Sequence, residues 1–184
     1  MRKILGIMGS PRKNGNTHTL ISKVFEGAIQ QGAETEMVLL SYMNINECDG
    51  CHVCWKGEKC NKNDDMNLIY PKIIDSDIVI FGTPVYWYAP TGLMKLLIDR
   101  LVFFNSSKNR AKIKGKKGVL VVPFEEEGID TAELTVKMFE KSLNYLEMPL
   151  IEVLLVPGVT KRGEVSERKD IMEKCYNLGK ALVN

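Results

Sequence analysis

Short apolar runs alternate with segments of helical period along the whole chain. Lys3-Ile-Leu-Gly-Ile-Met8 reads as a buried strand. The next segment carries Leu20, Ile21, Val24, Phe25, Ala28 and Ile29, a helical spacing that Gly32 stops. Glu36-Met-Val-Leu-Leu40 is a second strand, and a short helix is predicted over 65–74. Asp77-Ile-Val-Ile-Phe-Gly82 is apolar nearly throughout, as strands covered on both faces are. A helix is predicted over 93–103, a strand over Gly118-Val-Leu-Val-Val122, and a helix opening with Asp130 as cap and Glu133 three residues on, a capping-box pattern. Leu150-Ile-Glu-Val-Leu-Leu155 is the fifth strand, and Ile171, Cys175, Leu178 and Leu182 mark the face of a last helix. Five strands alternating with helices predict an α/β fold: a doubly wound, five-stranded parallel sheet in the order 2-1-3-4-5. One domain is expected over 1–184, with a cysteine-bearing insertion at 44–65 after the second strand.

Composition narrows the partners. Lys and Arg number 25 against 23 Asp and Glu, a net charge of +2 that gives no reason to expect nucleic acid or an anionic membrane. No apolar run approaches the roughly 20 residues that span a bilayer. The first strand begins at Lys3, which leaves no room for a signal peptide, so a cytoplasmic location is expected.

In an open parallel sheet, ligands bind at the carboxyl ends of the strands near the point where strand order reverses. That point falls beside Gly9-Ser-Pro-Arg-Lys-Asn-Gly-Asn-Thr17. Its glycines let backbone N–H groups turn inward, Ser10, Asn16 and Thr17 add uncharged donors, and Arg12 and Lys13 add charge; Asn14 lies among them. The following helix presents its amino terminus, which favours an anion. The loop lacks the Gly-Lys-Ser/Thr ending of a triphosphate loop and the GxGxxG spacing of a dinucleotide fold, so a monophosphate suits it best. The competing reading is a plain connection with Asn16 capping the helix.

A second loop, Thr83-Pro-Val-Tyr-Trp-Tyr-Ala-Pro90, also leaves a strand at its carboxyl end. Three consecutive aromatics cannot all be buried by periodic packing. They suit either the faces of a flat ring system such as isoalloxazine or a contact between subunits, and both can hold. A third loop, Pro123-Phe-Glu-Glu-Glu-Gly128, carries three carboxylates that are expected to face solvent or the start of the next helix; the alternative is that they approach a bound ring.

Four of the five cysteines lie close together: Cys48, Cys51, Cys54 and Cys60. Reducing cytosol disfavours structural disulfides, so the cluster points to metal or redox chemistry. Two successive x₂ gaps let three thiolates converge on one side of a tight turn, Gly50 helps the backbone bend, and Cys60 closes the set, as a [4Fe–4S] cluster requires. Zinc and metal-free thiols are the alternatives; two consecutive x₂ gaps crowd a tetrahedral ion. Cys175, on an apolar stripe, is expected to be an inert core thiol, and His18 and His52 solvated residues.

The phosphate-type loop, Thr83-Pro-Val-Tyr86 and Lys95-Leu-Leu-Ile-Asp-Arg100 together resemble the flavodoxin-like NAD(P)H-dependent FMN reductases, and the four cysteines resemble their iron–sulfur flavoprotein branch. The resemblance implies FMN, with Ser10, Asn16 and Thr17 at its phosphate and Pro84, Val85, Tyr86 and Trp87, with Tyr88 beside them, at its ring. It also implies a homodimer or homotetramer, because FMN in such proteins commonly sits at a subunit interface. Lys95, Asp99 and Arg100 match the family pattern and are read as structural or interface residues. Electrons from a low-potential donor such as ferredoxin would pass through the cluster and FMN to a quinone, an oxygen species or a similar small acceptor. The rivals are an NAD(P)H-dependent flavin or quinone reductase without a cluster, and a flavodoxin-like electron carrier.

Overall fold

The computed structural model describes residues 1–184 throughout. The chain runs β1 (Lys3–Met8), α1 (Asn16–Gln30), β2 (Glu34–Leu39), α2 (Met66–Asp75), β3 (Ile78–Gly82), β4 (Val85–Tyr86), β5 (Ala89–Pro90), α3 (Gly92–Arg100), α4 (Ser107–Arg110), β6 (Lys117–Pro123), α5 (Glu133–Tyr145), β7 (Leu150–Val156) and α6 (Lys169–Val183). Five strands form one parallel sheet in the order β2-β1-β3-β6-β7. This is the expected 2-1-3-4-5 order of the sequence reading. β4 and β5 form a separate two-stranded antiparallel hairpin within the aromatic loop.

Successive residues of a strand point to opposite faces, and both faces here are apolar. Leu5 and Ile7 of β1, with Val79 and Phe81 of β3, pack under α2, α3 and α5. Ile4, Met8, Ile78 and Ile80 pack under α1 and α6. Two glycines allow α1 and α6 to touch backbone to backbone. A Cβ on Gly27 would lie 2.0 Å from the Tyr176 carbonyl, and one on Gly179 would lie 1.9 Å from the Val24 carbonyl.

The helix entering after β6 differs from expectation. Ile129–Ala132 form a 3-10 turn and α5 starts at Glu133, with no side-chain cap. Glu133 pairs with Lys137 one turn on instead of reaching back, so the Asp130–Glu133 capping box does not form. No helix is long and apolar enough to cross a membrane.

Candidate functional site

Three loops leave the carboxyl ends of β1, β3 and β6 and meet in one cleft, and the loop after β7 closes it. Ser10, Arg12, Asn16, Thr17, Pro84, Val85, Tyr86, Pro123, Phe124, Glu125, Val159, Thr160 and Arg162 line a cleft of about 120 Å³. It is smaller than the roughly 300 Å³ lower range of small-molecule pockets, so one chain encloses only part of a ligand of that class. A wider depression of about 590 Å³ lies at the opposite end of the sheet, between the starts of β1 and β2 and α2. Half of its lining residues are charged, and it sits at the wrong end of the strands for a ligand.

The anion cradle is built locally. Gly15 precedes α1 in an extended conformation and gives no side-chain cap. The amides of Asn16, Thr17 and His18 therefore fall in the first turn, where a helix leaves its donors free. Asn14 adopts a left-handed backbone (φ 54°), which turns the loop into that first turn. Ser10 is buried, and its Oγ accepts a hydrogen bond from the Arg12 amide at 3.2 Å, leaving its own hydroxyl hydrogen for the cleft. Thr17 is buried in the lining of the cleft, and its methyl faces Gly82. An uncharged cradle of amides and hydroxyls beside Arg12 fits the phosphate of FMN.

The expected donors are held in different ways, and Asn16 keeps one Nδ2 hydrogen for the cleft it lines. Asn16 is the first helical residue rather than the cap, and both ends of its amide also bond the loop after β7. Its Nδ2 donates to the Lys161 carbonyl at 3.0 Å, and its Oδ1 accepts from the Val165 amide at 3.2 Å. Arg12 lines the cleft while Nη1 donates to the Thr160 carbonyl at 3.2 Å. Lys13 points away, with Nζ 5.7 Å above the Tyr42 ring, and its carbonyl is held by the Arg162 guanidinium, Nε at 2.8 Å. Lys13 and Asn14 are not among the lining residues.

The aromatic loop divides in the same way. Pro84, Val85 and Tyr86 face the cleft, whereas Trp87 and Tyr88 form the tip of the β4–β5 hairpin. Trp87 is 95% exposed. Both tip residues have positive φ, 54° and 61°, a turn geometry that Asn and Gly accept more easily than aromatics. Of the three carboxylates after β6, Glu125 lines the cleft; Glu126 and Glu127 do not. The sequence reading missed Thr160 and Arg162. Their signal was position, since they follow the carboxyl end of the last strand.

The cysteine loop is pinched shut at its base. Asn44 and Asp65 exchange bonds, the Asn44 amide to Asp65 Oδ2 at 2.6 Å and the Asp65 amide to the Asn44 carbonyl at 3.0 Å. Asp64 Oδ2 accepts from the Asn46 amide at 3.0 Å. Above this base Gly50 (φ 68°), His52 (φ 58°) and Gly57 (φ 77°) turn the chain so that Cys48, Cys51, Cys54 and Cys60 all line one small cavity of about 50 Å³. None is in a disulfide. Burial pushes the Cys54 thiol up, and the neighbouring Cys60, Cys48 and Cys51 add to it. No three His, Cys, Asp or Glu side chains stand close enough to chelate a single ion. His52 packs edge-on to Trp55 at 4.1 Å.

Arg100, at the end of α3, reaches the same cavity. It is 1% exposed and paired to the equally buried Asp64. Burial alone would raise the Asp64 carboxyl, but the Arg100 hydrogen bond, the Asn46 amide, the Arg100 charge and the Met66 amide together hold it below the usual carboxylate range. At the other end of α3, Thr91 caps the helix and its hydroxyl donates to the Gly9 carbonyl at 2.6 Å. The phosphate-type loop and the cysteine cavity thus stand at the two ends of one nine-residue helix, about 13 Å long.

The NADPH-dependent FMN reductase family matches residues 2–158. An iron–sulfur flavoprotein of Archaeoglobus fulgidus is 29% identical over 187 residues, which cover 98% of this chain and 91% of that protein. Another, from Methanocaldococcus jannaschii, is 38% identical over 98 residues, 53% of this chain and 51% of that protein. The match thus spans about half the length of that relative, as it does for a second Archaeoglobus fulgidus iron–sulfur flavoprotein, of which it covers 54%. Among solved structures, an NAD(P)H:quinone oxidoreductase from Methanothermobacter marburgensis superposes with a TM-score of 0.74 at 18% identity, covering 98% of this chain and 94% of that one. An FMN-dependent NADH-azoreductase from Bacillus anthracis, in complex with FMN, does so at 0.73 and 12% identity over 100% of both chains. These two likenesses show the fold. The match across the sheet and all three cleft loops through β7 shows more: the chain belongs to the NADPH-dependent FMN reductase family and is similar to iron–sulfur flavoproteins.

Proposed function

We propose that this protein is a flavin-dependent oxidoreductase that holds a [4Fe–4S] cluster on Cys48, Cys51, Cys54 and Cys60 and exchanges electrons between that cluster and FMN, for delivery to a small acceptor such as a quinone or an oxygen species. FMN, when bound, accepts or releases two electrons together or singly, and the protein supplies binding, orientation and tuning. The observation that carries the reading is the convergence of four free thiols on one cavity. Four cysteines in two successive x₂ gaps and a closing Cys60 match the ligand count of a multi-iron cluster.

The chain's own residues divide the remaining work. The first-turn amides of α1, Ser10, Thr17 and Arg12 would hold the ribityl phosphate. Pro84, Val85, Tyr86 and Phe124 would shape the walls around the rest. A low-potential one-electron donor such as ferredoxin suits the cluster, and NAD(P)H is the alternative donor. The exposed tip aromatics Trp87 and Tyr88 suit burial against a second copy of the chain, in a homodimer or homotetramer.

The test is purification without oxygen, with iron and FMN counted per chain, followed by the same count on Cys51→Ala. Four irons and one FMN in the parent, and FMN without iron in the variant, are expected. An iron-free parent that binds FMN and is bleached rapidly by NADPH would establish the cluster-free reductase instead.

A further inference from the structure

Arg100 is bound more elaborately than an ion pair requires. Each Nη atom gives one hydrogen to Asp64: Nη1 to Oδ2, and Nη2 to Oδ1 at 3.1 Å. The two remaining hydrogens go to the two sides of the cysteine loop. Nη1 donates to the Asn46 carbonyl at 2.8 Å, just before Cys48, and Nη2 donates to Cys60 Sγ at 3.4 Å. Taking a guanidinium and a carboxylate out of water is costly, and an apolar pair of similar volume commonly packs as well. The pair's presence therefore asks for a reason other than stability, and its outer edge faces four thiols.

We propose that Arg100 is a positioning residue for the four-cysteine site: its Nη2–H fixes Cys60 and favours the more negative state of whatever the four thiolates hold. The inference rests on reading those thiolates as ligands of a [4Fe–4S] cluster. Four thiolates outnumber the positive charge of such a core, so the bound group is an anion, and one-electron reduction makes it more so. Hydrogen bonds to cluster sulfurs and the net charge around them set the reduction potential. Asp64 opposes this effect: it neutralises the guanidinium and so limits how far the potential rises. Removing the hydrogen bond should lower the potential. Removing only the carboxylate, which leaves the guanidinium uncompensated beside the sulfurs, should raise it. Packing alone has no reason to produce shifts of opposite sign.

The experiment is an anaerobic redox titration of the iron-loaded, FMN-containing protein with dithionite and mediators, read by EPR and absorbance. The variants are Asp64→Asn and the double variant Arg100→Met with Asp64→Asn. The double variant deletes both charges together, which keeps the net charge and avoids an orphaned carboxylate. At fixed ambient potential the reduced-to-oxidised ratio should fall at least tenfold in the double variant, 59 mV for a one-electron couple. In Asp64→Asn alone it should rise. Iron-loaded variants that titrate at the parent's potential overturn the inference, and Asp64→Asn decides it even if the double variant does not fold. A parent that carries no iron after anaerobic purification would instead overturn the cluster reading, before any variant is made.

Discussion

Thr17 offers the sharpest test of the anion cradle. The residue is 2% exposed and lies in the lining of the cleft, with no side-chain hydrogen bond to the rest of the protein. Its methyl packs where a Cβ on Gly82 would lie 2.8 Å away. Thr17→Val keeps the shape and that methyl contact and removes only the hydroxyl. If the hydroxyl donates to the FMN phosphate, the loss is that of a hydrogen bond to a charged group, about 1.5–3 kcal/mol. At about 1.4 kcal/mol per tenfold, FMN should bind the apoprotein roughly 10- to 150-fold more weakly. Quenching of FMN fluorescence on titration with apoprotein measures this directly. Riboflavin, which lacks the phosphate, should bind parent and variant alike, and the thermal stability of the apoprotein should hardly move, because no protein partner is lost. Unchanged FMN affinity, or an equal weakening of riboflavin, would refute the placement of the phosphate at Thr17.

Three further outcomes follow from other parts of the structure. Trp87→Asn with Tyr88→Gly should relieve two left-handed aromatics at about 1–2 kcal/mol each; at about 2–4 °C per kcal/mol, a rise in apoprotein Tm of several degrees is expected, and no rise would show the turn to be unstrained. Gly179→Ala should force α6 off α1 and destabilise by about 1–3 kcal/mol; an unchanged urea midpoint would contradict the backbone contact. The Asp64 carboxyl is held below its ordinary value, so its stabilisation is complete above the unfolded pKa of about 3.9 and is lost as the pH falls through the lower folded value. The stability gap between the parent and Asp64→Asn should therefore be widest at neutral pH and close in acid, and a gap independent of pH would sink that account.

The sheet was legible because its inner strands are buried on both faces and so appear as unbroken apolar runs: Ile78–Gly82 is the plainest case, buried at every position. The β4–β5 hairpin was not legible. Its strands have two residues each, and its turn is made by Trp and Tyr instead of the Asn-Gly pair that announces such turns. The capping box failed because the spacing of Asp130 and Glu133 says nothing of the 3-10 turn between them. At the site, the loops were found by their place after the strands, but the duties of single side chains were not. Asn16 reads as a donor to a ligand, but its further duty of tying the loop to partners 145 and 149 residues away has no local pattern. Arg100 reads as a helix-end cation; its role depends on Asp64, 36 residues earlier, and no local pattern links the two.

The segment after β7 has a significance that its position beyond the family match conceals. Its backbone carbonyls accept from Arg12 and Asn16 of the opening loop, its Arg162 guanidinium donates to the Lys13 carbonyl, and the final helix lies against the shaft of α1. Whatever settles into the opening loop therefore shares its free energy with the carboxyl-terminal segment of the protein, and the coupling runs equally in both directions. Loosening the tail loosens the grip on the guest, and an arriving guest buckles the tail down.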